Sequence, residues 1–222
     1  MNVARGMRRG TPLGAMLVAV IALASATTHA SDRLQFEAAG RAGFGLALGN
    51  VDTAPGDRLD QTSPGMVPFG IDFGVRLQSR WRAGAYFDFA PAAFVGDALK
   101  RLGSGNAVRV ARFGGEAAYH LRPEGPFDPW FGAGFGAEWL WAANSAGSTS
   151  LSGVEMLLEG GLDMPFAPEW SWGPFVGATF GAYTSLPNPD VHEWALVGVR
   201  VVALFGGGAS AQASGRGDGS DP

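Results

Sequence analysis

Residues 112–141 read RFGGEAAYHLRPEGPFDPWFGAGFGAEWLW, and this stretch decides the fold. In its first half Ala111, Phe113, Gly115, Ala117, Tyr119 and Leu121 fall on one face; Arg112, Gly114, Glu116, Ala118 and His120 fall on the other. In its second half Phe131, Ala133, Phe135, Ala137, Trp139 and Trp141 share a face, opposite Trp130, Gly132, Gly134, Gly136 and Glu138. A period of two is the signature of a β-strand, and two such runs around a Pro- and Gly-rich turn, Arg122 to Asp128, make a hairpin. One face is apolar and ends in aromatics, whereas the other mixes glycine with full charges. A soluble sheet shows water its polar face and seldom fills it with glycine. A sheet that turns its apolar face to lipid and closes around Gly, Arg and Glu has this pattern.

The same alternation recurs along the chain. Strands are expected at Leu34–Gly49, Val67–Gln78, Trp81–Phe89, Gly153–Met164, Pro174–Thr184 and His192–Phe205, besides the two of the hairpin. Eight antiparallel strands are an even number and can close without edges. At roughly 10 to 14 residues they match the ~9–11 needed to cross hydrocarbon at a tilt and exceed the ~5–6 of soluble sheets. Connections of two kinds separate them. Asn50–Pro64 and Ala90–Asn106 are long, and the second has room for a short helix; Ala143–Ser150 is a small-residue loop; Leu186–Asp190 turns the chain. Ser79–Arg80, Arg122–Asp128 and Pro165–Trp172 are compact. Short turns on one side and longer loops on the other suit a membrane barrel. The fold class expected is therefore all-β: an eight-stranded, antiparallel, up-and-down transmembrane barrel over residues 31–205.

Residues 1–30 have the form of a secretory signal: Arg5, Arg8 and Arg9, then the apolar run Leu13–Ala24, then Thr28-His29-Ala30 as a small-x-small cleavage site. Residues 206–222 form a Gly/Ser-rich tail of disordered composition. Removing the three arginines of the signal takes the formal net charge from −4 to about −7, which argues against a nucleic-acid partner. There is no cysteine, hence no disulfide, thiol chemistry or Cys-ligated metal. Beyond the signal no apolar run reaches the length of a spanning helix. An exported chain of this kind has two main options, a periplasmic β-protein or an outer-membrane barrel; the barrel is expected here, in the outer membrane of a Gram-negative-type bacterium, with lipid as its first partner and both termini periplasmic.

The register sends Glu37, Arg41, Asp72, Arg76, Arg82, Asp88, Arg112, Glu116, His120, Glu138, Glu155, Glu159, Asp163 and Arg200 inward. Eight strands enclose only enough space for side chains, so both signs of charge are expected to pair as a polar plug. A conducting pore, with Glu155, Glu159 and Asp163 as an acidic stripe, stays open as an alternative. Aromatic belts are expected at the two bilayer interfaces, from Trp81, Trp130, Trp170 and Trp172 at the short-turn end and Trp139, Trp141 and Trp194 at the loop end, with Tyr183 among the latter. A soluble lipocalin-like barrel would instead enclose the Phe and Val face.

The hairpin 114–139, the interior of carboxylates and arginines, and the terminal strand GVRVVALF (198–205) resemble the eight-stranded OmpA/OmpX/OmpW-like barrels. The resemblance implies a structural or surface-interaction role, or a small-solute channel of the OmpW-like type, and recognition of Val197–Phe205 by the barrel-assembly machinery. In those barrels the chain usually ends at the aromatic; here residues follow Phe205. No enzymatic activity, cofactor or metal is expected. Asp190 and His192 lie on one face by alternation, as in surface proteases of the omptin type, but those resemble ten-strand barrels. The deacylase pattern His-x-Ser occurs only at His29-Ala30-Ser31, across the expected cleavage site, and not at His120 or His192. Arg216-Gly217-Asp218 in the tail spells an integrin-binding tripeptide and is read as chance.

Overall fold

The structure is a computed structural model and describes residues 34–53, 58–101, 104–145 and 147–206. The signal segment, the tail beyond Gly206 and Arg216-Gly217-Asp218 lie outside the described residues. Nine strands form one antiparallel sheet: β1 (Leu34–Gly49), β2 (Gly65–Met66), β3 (Phe69–Leu77), β4 (Trp81–Ala93), β5 (Ala107–His120), β6 (Asp128–Asn144), β7 (Gly147–Ala167), β8 (Trp170–Ala182) and β9 (Val191–Phe205). Each long strand pairs with the next, and β9 pairs with β1, so eight long strands close a ring. The two-residue β2 continues the line of β3, bridging Gly45 and Leu46 on one side and Ala93 on the other. Pro68 separates β2 from β3, because a proline brings no N–H to the ladder; its carbonyl still accepts from Gly43 N at 3.1 Å.

Pairing partners followed round the ring from Ala39 run through Asp72, Tyr86, Gly114, Gly136, Glu155, Gly181 and His192. They return to β1 at Gly49, ten positions along. With strands ~4.8 Å apart and a rise of ~3.4 Å per residue, that stagger tilts the strands by roughly 40–45°. The inward and outward faces alternate as the sequence demands. Phe36, Phe73, Phe131, Phe135 and Val176 are each more than half exposed on the outside. Among the described residues, all the charges on the long strands except Arg109 and Glu193 lie inside. A soluble lipocalin-like barrel has the opposite orientation, so that alternative falls.

Two boundaries differ from the sequence reading. Ala143–Ser150 is no open loop: β6 and β7 stay paired as far as Asn144 and Gly147, where Asn144 Oδ1 accepts from Gly147 N at 3.1 Å. Ser and Thr there look like loop composition, but the two strands satisfy each other's backbone, so the hairpin runs on beyond the apolar wall. Likewise Pro165–Trp172 shrinks to a tight connection between Ala167 and Trp170. The turn at Gln78 and Ser79 holds both residues at positive φ, 52° and 60°, which matches the twist of the flanking strands.

At the loop end, helical turns form at Leu59–Thr62 and Asp97–Arg101. The second falls where the sequence leaves room for a short helix; the first lies in the polar connection Asn50–Pro64. The two loops are tied together by Gly96 N to Thr62 O at 2.9 Å and Phe94 N to Gly65 O at 2.7 Å. Leu59 and Met66 are fully buried over Val108, Val110, Leu140 and Leu196. Among the described residues, an apolar cap therefore lies over this end of the barrel.

Candidate functional site

The interior is the candidate site, and it is built from three tiers. At the short-turn end Glu37 contacts Arg76 at 2.6 Å and Arg82 at 2.8 Å, and Arg82 reaches Glu116 at 2.8 Å. Arg200 makes two parallel bonds to Asp163, at 2.9 and 2.6 Å, while its guanidinium lies 3.8 Å from the Trp130 ring centroid. The paired geometry is the one in which Arg is strongest, and the stacking on indole adds a cation–π contribution. His120 Nδ1 sits 2.7 Å from Asp128 Oδ2.

At mid-height Arg41 is the hub. It donates to both oxygens of Asp88 at 2.9 and 3.0 Å and to Glu159 at 3.0 Å, and it stands 3.5 Å from Asp72. Arg112 lies 3.2 Å from Asp88 and 3.9 Å from Glu155. The Tyr86 hydroxyl donates to Glu155 at 2.8 Å. Tyr86 fits because Gly114, Gly134 and Gly136 carry no side chain beneath it: a Cβ at Gly136 would stand 2.5 Å from its hydroxyl. The inward glycines thus make room for large polar groups in a cylinder that is otherwise too narrow.

At the loop end three side chains converge on Glu138: Tyr183 Oη at 2.5 Å, His192 at 3.3 Å and Trp194 Nε1 at 3.3 Å. The Tyr183 and His192 rings stack at 4.1 Å. Tyr183, Trp194 and Leu140 belong at the same time to the apolar cap. One carboxylate therefore accepts from Tyr183 and Trp194 and meets a ring nitrogen of His192 directly under the apolar cap.

All fourteen residues that the register sends inward lie inside the ring: Glu37, Asp72, Arg76, Arg82, Asp88, Arg112, Glu116, His120, Glu138, Glu155, Glu159, Asp163 and Arg200 are buried, and the Arg41 side chain is 7% exposed. The aromatic belts need correction. Trp130 and Trp194 are 3% and 0% exposed and belong to the interior, as does Tyr183 at 0%. Position near a strand end does not put a residue in a belt; parity does, and Trp130 shares its face with Glu138. Trp81, Trp141, Trp170 and Trp172 are exposed on the outer wall, where Trp139 stacks on Phe113 at 5.1 Å.

The sequence places Asp128 in the turn and His192 at the start of the last strand, on one face with Asp190. Both are buried, and the parity of β6 and β9 was the signal that could have placed them. Asp190 and His192 do not meet: Asp190 is bonded to Val191 N at 2.8 Å and Asn50 Nδ2 at 3.2 Å, and His192 is on Glu138. His120, Asp128 and Asp163 come together from three strands, with ligand-type atoms within 4.8 Å of one another. Both oxygens of Asp163 already accept from Arg200 and His120 is already on Asp128, so the group is knit as ion pairs and hydrogen bonds.

No protein-family model matches the chain, and no curated protein matches it. Solved structures do. Neisserial surface protein A (NspA) superposes with a TM-score of 0.52 at 10% identity, covering 78% of this chain and 97% of that one. The N-terminal β-barrel domain of Pseudomonas aeruginosa OprF gives 0.46 at 15% identity, over 78% and 96%. The chain has the transmembrane β-barrel fold of the small eight-stranded outer-membrane proteins.

Proposed function

We propose that the protein is an outer-membrane barrel of a Gram-negative-type envelope with a structural or surface-interaction role, and that its interior is closed to solutes. The observation that carries this reading is the filling of the cylinder. Two tiers of ion pairs and a third built on Glu138 occupy it, and an apolar cluster of Leu59, Met66, Val108, Val110 and Leu140 lies over the loop end. A solute would have to break buried ion pairs and then pass the buried side chains of Leu59, Met66 and Leu140. In this reading β1 starts and β9 ends on the periplasmic side, and the loops 50–64 and 94–106 face outward. The terminal strand Val197–Phe205 is then the segment offered to the barrel-assembly machinery.

A second reading is a cation channel. It rests on the imbalance among the described interior residues: nine buried carboxylates face the guanidiniums of Arg41, Arg76, Arg82, Arg112 and Arg200. Planar-bilayer recording of the purified protein distinguishes the two. A closed barrel gives no steady unitary conductance. Steady conductance that disappears in Glu155→Gln or Glu159→Gln overturns the closed reading. Membrane fractionation and heat-modifiable gel mobility test the location separately.

A further inference from the structure

Among the described residues, the outward faces of the long strands carry two charged side chains, Arg109 on β5 and Glu193 on β9. Arg109 points outward because its neighbours Val108 and Val110 are buried at 1% exposure each. It is exposed, and no carboxylate pairs with it among the described residues. A charge on a lipid-facing wall costs most at the bilayer centre and little at the interface, so its height decides its meaning.

The register gives that height. Tyr119 pairs with Trp81 in the aromatic group of the short-turn end. Arg109 is ten residues up the same strand. At a tilt of roughly 40–45°, each residue climbs ~2.4 Å along the barrel axis, which places Arg109 about 24 Å above Tyr119. The apolar band of such barrels is ~25 Å tall. Arg109 therefore stands at the far edge of the hydrocarbon, where lipid headgroups begin.

Its neighbours are specific. Arg109 is directly opposite Trp141 on β6, and Trp141 is directly opposite Ser150 on β7. Trp141 is 41% exposed and Ser150 is exposed. Directly opposed side chains lie ~5 Å apart at Cβ, so one row presents a guanidinium, an indole face and a hydroxyl. Trp139 and Ser152 form the next row down. A guanidinium binds phosphate through two parallel bonds; an indole offers a flat apolar face with its N–H at headgroup level; serine adds a donor or an acceptor. We infer that Arg109, Trp141 and Ser150 form a docking site on the outer wall for the phosphorylated sugar headgroup of an outer-leaflet glycolipid. The inference rests on the loop end facing the outer leaflet, as proposed above.

The test uses the full mature barrel folded in neutral micelles and titrated with diphosphorylated lipid A, with retained lipid read by native mass spectrometry. The site predicts saturable retention that falls about tenfold in affinity in Arg109→Gln and also falls in Trp141→Leu. Glu193→Gln, on another part of the wall, leaves it unchanged. Heat-modifiable mobility of each variant establishes that it is folded. Dephosphorylated lipid A binds as weakly to the wild type as diphosphorylated lipid A binds to Arg109→Gln. Equal retention by wild type and Arg109→Gln overturns the site. Equal retention of phosphatidylglycerol and lipid A overturns the sugar-specific part and leaves Arg109 a general interfacial anchor. Absence of the protein from the outer-membrane fraction, by contrast, defeats the proposed location and not the lipid chemistry.

Discussion

Arg41 carries more of the interior than any other side chain, because three carboxylates depend on it. Its own burial would be costly if it stood alone, but removing it is worse: Asp88, Glu159 and Asp72 would be left buried with a single cation, Arg112, in contact with one of them. Breaking a buried pair from one side costs about 3–5 kcal/mol. Arg41→Ala is therefore expected to lower the unfolding free energy in micelles by about that amount, measured by urea titration. Asp190 shows the opposite regime. The Val191 N–H and the Asn50 side-chain amide hold its carboxyl below the usual carboxylate range. Its unfolded value is ~3.9, so the staple between β1 and the 186–190 loop is intact at neutral pH. It is lost as the pH falls below about 4 through the lower folded value. Limited proteolysis at 186–190 should accelerate over that window, and Asp190→Asn should show no such acid step.

At the scale of elements, the β5–β6 pair is where sequence and packing fit each other most closely. Gly114 and Gly136 face each other across the ladder. A Cβ at Gly136 would stand 2.2 Å from Phe113 O and 2.9 Å from Gly114 Cα. Two strands come close here because neither carries a side chain, and Tyr86 lies over the gap. Gly136→Ala should cost about 1–3 kcal/mol through overpacking, read as a lower urea midpoint. Tyr86→Phe keeps the ring and removes only the bond to Glu155, so its effect should be smaller. The extended β6–β7 hairpin has a different logic. Its serines carry no buried face, so only the backbone ladder holds the register.

For the whole molecule, the governing fact is inversion: the wall is greasy and the axis is charged. Phe73 lies in the middle of β3 and is 58% exposed. In a soluble barrel a cation there would be harmless. In a bilayer, Phe73→Arg should cost about 2–4 kcal/mol, measured by refolding into lipid vesicles of matched thickness. An arginine one row below Arg109, in Trp139→Arg, should cost less. If both variants are as stable as wild type in bilayers, the wall is not in hydrocarbon. Closure of β9 onto β1 is also a property of the whole, since no local segment encodes it.

The alternation of residues 112–141, and its echoes along the chain, set strand number, strand parity and the inward position of Glu37, Arg41 and their kind, because a period of two leaves only two faces. Parity also held the correct place of Trp130, Trp194 and Tyr183, but nearness to strand ends pulled the reading toward the belts. Which carboxylate meets which guanidinium was not legible, since Arg41 and Glu159 are brought together only by the stagger of the closed ring. Nor was the cap: Leu59 lies in a stretch polar enough to read as loop, and only the fold sets it over Leu140. Sequence fixes what faces inward through local geometry; partners inside are decided by ring closure, which is a sum over all eight strands.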